Sequence, residues 1–332
     1  MPTVRLADIA GELHLSVSTV SRALSGKGPV REETRKRVLD AVRQSGYRIN
    51  DVARSLRMKS ARSIGIIVPD ISNGFFSTVI KSAQQQCRQN DYILIVCNSD
   101  EDPAVENDML QTMLSKQVSG LVLASVTDSR TIRDRHAGLG VPVVYIDNLP
   151  QCGGDFDSVA IDNHAAAYDL TTAMLNRGHR DIGMISGPLA QSTGLLRKQG
   201  FEAALTENGI APRPEWIREG LFTMESGYVQ MQRILSLAER PSAMLFASNY
   251  IAYGALKAIR ERGLAVPEDL AIAAFDAIDT TDLIAPRITS VNQPAQEIGS
   301  KAVEILLERL REPANAGRQI VLSPGFVNGN SW

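Results

Sequence analysis

The sequence is poor in cysteine, and this scarcity excludes two classes of protein. Only Cys87, Cys97 and Cys152 occur among 332 residues, and none of them forms a CxxC pair. An odd number of cysteines without metal-ligand spacing indicates neither a disulfide framework nor a structural zinc site. We therefore expect no metal site.

Long apolar runs are also missing. No stretch reaches the roughly 18 consecutive apolar residues that span a bilayer, so no membrane partner is expected. The first residues, MPTVRLADIAGEL, lack the apolar core and the small-residue cleavage site of a secretory signal. The sequence therefore predicts a cytoplasmic protein.

Motifs that carry phosphate and nucleophile chemistry are absent as well. The sequence has no GxGxxG after a strand, no GxxxxGKS/T, no GxSxG and no metal-spaced histidine cluster. GPLAQSTG, at residues 187–194, is bounded by glycines but lacks the lysine of a phosphate-binding loop. This predicts a protein that is not an enzyme and has no cofactor, with a sugar kinase or dehydrogenase as the alternative.

Charge is present but unevenly distributed. Residues 1–62 hold thirteen Lys or Arg and six Asp or Glu, a net charge of +7. The other residues hold 22 basic and 31 acidic side chains, a net charge of −9. A basic head on an acidic body is expected where only the head meets a polyanion.

The basic head has the pattern of three short helices. Apolar residues of the first helix recur at helical spacing, as Leu6, Ile9, Ala10 and Leu13. A second helix begins after Ser16, a residue type that caps helix N-termini. A third is predicted over residues 31–45, with Val38, Leu39 and Val42 facing inward. This order is that of a helix-turn-helix, whose second helix enters the major groove.

The second helix carries small polar side chains on its outer face. Its predicted DNA contacts are Ser16, Val17, Ser18, Thr19, Ser21 and Arg22. Val17 can offer methyl contact to thymine, Arg22 matches guanine or phosphate, and the hydroxyls suit phosphate oxygens. The sequence thus predicts an all-α helix-turn-helix DNA-binding domain over residues 1–46. A plain three-helix bundle, with hydroxyls facing water, is the alternative.

Residues 47–62 predict a hinge helix capped by Asn50. An isolated helix below about 12 residues is marginal in water, so this one needs a partner. Arg54 lies on its basic side, and Ala53 and Leu56 lie on an apolar side suited to wedge into the minor groove. Two copies side by side predict a homodimer on palindromic operator DNA. A linker with incidental charge is the alternative.

From Ser63 the pattern changes to alternating strands and helices. Continuous apolar runs such as SIGIIVPD, GLVLAS and LAIAAFD are typical of buried parallel strands. We predict two doubly wound α/β lobes, a first over residues 63–162 and 292–323 and a second over 163–291 and 324–332. Ligands bind beyond the carboxyl ends of such strands, so the cleft between the lobes is the predicted site.

Polar and aromatic residues at strand ends are the ligand candidates. They are Asp70, Asn73, Phe75, Ser125, Asp147, Arg197, Phe222, Asn249 and Asp276. Aromatic faces, amides, carboxylates and one arginine suit a polyhydroxylated ligand. Capping or turn roles are the alternative for Asp70 and Asp147.

Several segments resemble the LacI/GalR family of bacterial transcription regulators. They are ADIAGELHLSVSTVSRAL, VREETRKRVLDAVRQSGY and NDVARSL. The resemblance places Val17, Ser18 and Arg22 at base-reading positions and Leu56 at the intercalating leucine of the hinge. It makes the body similar to periplasmic sugar-binding proteins, with Arg197, Phe222, Asn249 and Asp276 as effector contacts. No leucine heptad precedes Trp332, so a tetramer-forming coil is not expected.

The resemblance implies a repressor controlled by a small molecule, a sugar or a sugar acid. Where many relatives have Asn-Asp, this sequence has Ser248-Asn249. Loss of that carboxylate beside Arg197 favours an acidic effector, such as gluconate or 2-ketogluconate. A nucleobase effector is one alternative, and a solute-binding protein that serves a transporter is another.

Overall fold

The computed structural model describes residues 6–25, 28–45, 62–151, 153–276 and 285–332. The chain divides into two compact units, Met1–Ala61 and Arg62–Trp332, each of which has its own internal packing.

The described part of the first unit is a bundle of three helices. They are α1 (Leu6–Glu12), α2 (Val17–Ser25) and α3 (Glu32–Ser45). Its core is formed by Ile9, Ala10, Val20, Ala23 and Val38. The helix-turn-helix expectation is confirmed, but the inward orientation of Leu39 is wrong because its side chain is 38% exposed. The hinge predictions for Asn50, Ala53, Arg54 and Leu56 lie outside the described residues.

The first lobe of the second unit is built on a six-stranded parallel sheet. Its strands are β1 (Ser63–Val68), β2 (Ile93–Asn98), β3 (Gly120–Leu123), β4 (Val143–Ile146), β5 (Asp157–Ile161) and β11 (Gln319–Leu322). They lie in the order β11-β5-β4-β3-β1-β2. The helices α4 (Gly74–Gln89), α5 (Pro103–Ser115), α6 (Ile132–His136) and α11 (Ala295–Arg311) belong to this lobe.

The second lobe repeats this plan. Its strands are β6 (Ile182–Ser186), β7 (Ile217–Glu219), β8 (Ala243–Phe246), β9 (Ala271–Phe275), β10 (Thr289–Asn292) and β12 (Gly325–Val327). They lie in the order β12-β10-β9-β8-β6-β7, and β12 is antiparallel to β10. Its helices are α7 (Asn163–Asn176), α8 (Ser192–Glu207), α9 (Met224–Leu235) and α10 (Asn249–Glu261), and a 3-10 turn spans Pro214–Trp216. The two-lobed α/β expectation is confirmed.

Within the described residues, the chain crosses from one lobe to the other at three places. The first lies between β5 and α7, the second between β10 and α11, and the third between β11 and β12. Because parallel strands end at a common edge, this connectivity brings the carboxyl ends of both sheets to one cleft. Within the described residues, no helix is both long and apolar enough to cross a membrane.

Candidate functional site

The accessible side of α2 carries the side chains predicted to contact DNA. Val17, Ser18 and Arg22 are exposed, and Thr19 and Ser21 are half-buried. Val17 keeps 42% of its surface accessible although it is apolar. Val20 and Ala23 of the same helix are buried, so Val17 is the apolar side chain of α2 that is most accessible to a partner.

Ser16 lies just before α2 and is exposed. Its Oγ accepts a hydrogen bond from the backbone N–H of Thr19 at 3.2 Å, so it caps the helix as expected. The same oxygen is 2.8 Å from Oγ of Ser18 and 2.8 Å from Oγ1 of Thr19. The cap thus links three of the hydroxyls that were predicted to face phosphates.

Eight of the nine predicted ligand residues line one cavity between the lobes. These are Asp70, Asn73, Phe75, Asp147, Arg197, Phe222, Asn249 and Asp276. The space open to the centre of a water molecule is about 40 Å³, and all the empty space, open solvent at the mouth included, is about 490 Å³. Gly187 leaves room for the Phe222 ring, because a Cβ atom on residue 187 would lie 2.0 Å from the ring. We call this space the cleft cavity.

Ser125 is the predicted ligand residue that the structure places elsewhere. It is 1% exposed, and its hydroxyl donates to Oε1 of Glu106 at 2.8 Å. Glu106 also accepts from the backbone N–H of Val126 at 2.6 Å and from the hydroxyl of Thr127 at 2.9 Å. Burial opposes the charged form of Glu106, but these bonds and one from His136 outweigh it and lower its pKa. Ser125 therefore holds a buried carboxylate instead of facing the cleft.

The sequence interpretation missed several cavity residues. Glu101, Gln191, Thr193, Ser248 and Gln293 also line the cleft cavity. Glu101 follows β2, and the acidic run NSDED after YILIVC is the sequence signal that marks this strand end. Thr193 lies in the first turn of α8, where no strand-end pattern points to it.

Arg197 is fixed in place within the second lobe. It is 2% exposed. Its Nε donates to Oδ1 of Asn163 at 2.8 Å, and its Nη1 donates to the carbonyl oxygen of Ala247 at 2.6 Å. The guanidinium lies 4.1 Å from the centre of the Phe275 ring. Arg197 is held by neutral groups, which leaves its charge to act on the cleft cavity.

Three buried polar atoms of the cleft cavity have no hydrogen-bond partner among the described residues. They are Nη2 of Arg197, Oγ1 of Thr193 and Oε1 of Gln293. Each residue is at most 5% exposed, and buried polar groups are normally paired. Their residues line the cleft cavity, so an unpaired donor, an unpaired acceptor and a hydroxyl lie beside it, where a polar ligand can pair with them.

Carboxylates outnumber cations in the cleft cavity. Burial raises the pKa of Asp147 to about 6, and Arg197 partly opposes this shift. Burial also raises the pKa of Asp276, which accepts from the backbone N–H and from Nε2 of Gln293 at 2.8 and 2.9 Å. Asp70 accepts from the backbone N–H and hydroxyl of Ser72, so it also serves its turn. Across the described chain, no group of three or more His, Cys, Asp or Glu is placed to hold a metal ion.

Side chains of the two lobes meet directly at the cavity mouth. Nδ2 of Asn249 donates to Oδ1 of Asn73 at 3.0 Å, and Nδ2 of Asn73 donates back to Oδ1 of Asn249 at 3.3 Å. The hydroxyls of Ser72 and Tyr250 are 3.1 Å apart. The described arrangement is therefore closed, and two predicted ligand amides bind each other.

Comparison with known proteins places this architecture in one family. The model for bacterial regulatory proteins of the lacI family matches residues 5–54, and that for a periplasmic binding protein-like domain matches residues 171–332. The ribose operon repressor of Haemophilus influenzae is 36% identical over 326 residues, which cover 97% of this chain and 96% of that protein. The chain belongs to the LacI family.

Other LacI-family members are similar over nearly the whole chain. Catabolite control protein A of Priestia megaterium is 34% identical, with 93% of each chain covered. A structure of the lac repressor dimer bound to operator and the anti-inducer ONPF is 25% identical, covers 99% of both chains and has a TM-score of 0.89. These relatives are named as regulators and not as enzymes. The protein is thus a DNA-binding transcriptional repressor of the LacI family.

Proposed function

We propose that this LacI-family repressor is controlled by an uncharged polyhydroxylated small molecule, a neutral sugar, bound in the cleft cavity. The observation that carries the proposal is the set of unpaired buried atoms on Arg197, Thr193 and Gln293. Arg197 provides a donor, Gln293 an acceptor and Thr193 a hydroxyl. Phe75 and Phe222 add aromatic surface to the same cleft cavity. Hydroxyl groups both donate and accept, so a sugar can satisfy all three.

The charge of the cleft cavity favours a neutral sugar over a sugar acid. The sequence suggested an acidic effector because Asn249 stands where many relatives have an aspartate. The cavity nevertheless keeps four carboxyl groups, Asp70, Glu101, Asp147 and Asp276, against the single cation Arg197 among its described lining residues. A ligand carboxylate would add like charge in a buried site, where such repulsion is weakly screened. The name of the ribose operon repressor, a relative 36% identical, agrees with a neutral sugar.

The DNA-binding part of the proposal concerns α2 and a second copy of the chain. Val17, Ser18 and Arg22 would read base edges, while Ser16, Thr19 and Ser21 would contact phosphates. The hinge residues Asn50, Ala53, Arg54 and Leu56 would act in the minor groove of a palindromic operator.

A homodimer is part of the same proposal. The edge strand β2 exposes two apolar side chains, Ile93 at 67% and Val96 at 40%. An exposed apolar edge strand is a surface that proteins normally cover. We assign it to the second copy because the similar lac repressor structure is described as a dimer.

Control requires that the effector distinguish open from closed lobes. A ligand shifts such an equilibrium only by its difference in affinity for the two states. Coupling between distant sites is typically worth about 1–3 kcal/mol, or about 5- to 150-fold in operator affinity.

The proposal is tested by a ligand screen followed by a DNA-binding measurement. Thermal shift and calorimetry would compare neutral sugars, sugar acids and purines on the full-length protein, since a ligand of the folded state raises its melting temperature. We expect a neutral sugar to bind and to change the affinity for a selected operator fragment. Tight binding of sugar acids or purines alone would contradict the proposed effector class.

A further inference from the structure

Glu101 lies in a strained loop at the wall of the cleft cavity. It follows β2 on the way to α5, and its side chain lines the cavity together with Asp70 and Asp147. Asp100 and Glu101 have backbone φ angles of 53° and 58°, a conformation that residues other than glycine rarely adopt. Asp102 then caps α5 by accepting from the backbone N–H of Ala104 at 2.7 Å. The loop therefore holds Glu101 in a defined position at the carboxyl end of the sheet.

The charged groups that act on Glu101 all have its own sign. They are Asp147 after β4, Asp70 after β1 and Glu106 in α5. The amide of Gln191, from the second lobe, acts on Glu101 in the opposite direction and favours its charged form. Burial and the neighbouring carboxylates outweigh that bond and raise the pKa of Glu101 to about 7. No lysine or arginine of the described chain is among the groups that shift the pKa of Glu101.

The cavity's positive charge is already matched without Glu101. Arg197 interacts electrostatically with Asp276 and Asp147. Asp70 and Glu101 thus add negative charge that no lining cation of the described residues offsets. The residues Arg197, Thr193 and Gln293, each with a buried polar atom that has no partner among the described residues, line the same cavity.

We infer that Glu101 is a specificity-determining residue of the cleft cavity, which discriminates against ligands that carry a carboxylate and admits their uncharged counterparts. The inference rests on the proposed function and deepens it, because it assigns the selection between a sugar and its acid to one side chain. A carboxylate beside Glu101 would meet a like charge in a buried site, whereas a hydroxyl would donate to it.

Matched pairs of probes test the inference on the full-length protein. Calorimetry would measure D-ribose against D-ribonate and D-glucose against D-gluconate, for the wild type and for Glu101→Gln. Glutamine keeps the size of the side chain and a partner for Gln191 but removes the charge. At pH 8, where Glu101 with a pKa of about 7 is mostly ionised, we expect the ratio of acid to sugar affinity to rise by up to about tenfold in Glu101→Gln. Glu268→Gln, which removes an exposed carboxylate of the second lobe, is the matched control and leaves the ratio unchanged.

A pH series separates a charge effect from a packing effect. Protonation of Glu101 relieves the repulsion, so wild-type affinity for D-ribonate rises between about pH 8 and about pH 6. Glu101→Gln reduces this dependence. An unchanged ratio together with an unchanged pH profile would overturn the inference. If neither sugar binds the wild type, the proposed function fails. The inference about Glu101 is then tested by the binding of D-ribonate and D-gluconate alone. Binding of an acid to Glu101→Gln alone supports it, and no binding overturns it.

Discussion

Ser125 was predicted from its position after β3, but its hydroxyl points to Glu106, a residue of α5. Glu106 is 1% exposed and is held by donors that follow β3. A strand-end hydroxyl in a sequence looks the same whether it serves a ligand or a buried acid. The difference depends on a partner 19 residues away, which local patterns do not show.

Glu106→Gln is expected to destabilise the first lobe. Its amide nitrogen would replace an acceptor oxygen and face the donors on Ser125 or Val126. Leaving a buried donor unpaired costs about 1–3 kcal/mol, so we expect a loss of that size in the free energy of unfolding. Urea unfolding measures it, with Glu268→Gln as the control for an exposed carboxylate. Equal stability of both variants would show that the bonds to Glu106 contribute nothing.

Glu101 and Asp147 are expected to make the folded protein less stable as the pH rises. Their pKa values are raised to about 7 and about 6 in the folded protein, above their ordinary values. Between about pH 4 and about pH 7 the folded state binds more protons than the unfolded state, so their contribution to stability falls as pH rises. We expect Glu101→Gln combined with Asp147→Asn to raise the melting temperature near pH 8. The gain disappears near pH 4, where both wild-type groups are protonated in the folded protein.

Melting curves across this pH range provide the measurement. The gain at high pH is expected to be on the order of 1–3 kcal/mol in the free energy of unfolding. Glu268→Gln is expected to lack it. A gain of the same size at both ends of the range would mean that packing, and not ionisation, is responsible.

At the scale of elements, strands were predictable where they are buried and continuous. All residues of β1, β3, β8 and β9 are buried, and each corresponds to an apolar run. The antiparallel β12 was not predicted, because three residues at the sheet edge carry no periodicity. Leu39 illustrates the limit for helices. Leu39 lies at the edge of the apolar face of α3 and is 38% exposed. The spacing of apolar residues in the sequence does not distinguish the edge of such a face from its buried centre.

Arg22→Ala tests α2 as the DNA-reading element. Arginine that pairs with guanine or phosphate contributes strongly, so we expect operator affinity to fall about tenfold or more. The effector affinity is expected to stay unchanged, because Arg22 lies in the first compact unit and the cleft cavity in the second. Fluorescence anisotropy with operator DNA and calorimetry with the effector measure the two quantities.

Arg43→Ala is the matched control, because it removes the same charge from α3. Arg43 has a side chain that is 79% exposed and forms a surface ion pair with Asp40 at 3.7 Å. We expect it to change operator affinity by less than about threefold, a general electrostatic effect. Equal losses in the two variants would show that α2 contributes charge but no specific contact.

At the scale of the whole molecule, the cleft was predictable because the parallel strands of each sheet end at one edge, where ligands bind. That rule and the family resemblance together located eight cavity residues, although Arg197 lies within α8 and not at a strand end. It could not show that Asn73 and Asn249 bind each other across the cleft, since the two residues are 176 positions apart. Nor could it show Gln293, which reaches the cavity through the return of the chain after β10. Closure of the lobes is a property of the folded molecule and not of either sheet.

The paired amides of Asn73 and Asn249 are expected to stabilise the closed molecule. Asn249→Ala removes both bonds, so the binding-competent closed state becomes less populated and effector affinity falls by about five- to tenfold. Asn73→Ser is the better partner variant, because Asn73 also caps α4 by accepting from the backbone N–H of Phe75, and serine retains that cap. Small-angle scattering without ligand should show a larger radius of gyration for each variant.

A double-mutant cycle decides whether the two amides act as a unit. If they do, Asn249→Ala combined with Asn73→Ser weakens effector binding no more than the worse single variant, with a coupling energy of about 0.5–3 kcal/mol. Tyr250→Phe serves as the control, because it removes only the hydroxyl contact to Ser72 at the same mouth. Additive losses would mean that each amide contacts the ligand separately. The closed arrangement would then depend on the effector and not on contacts between the lobes.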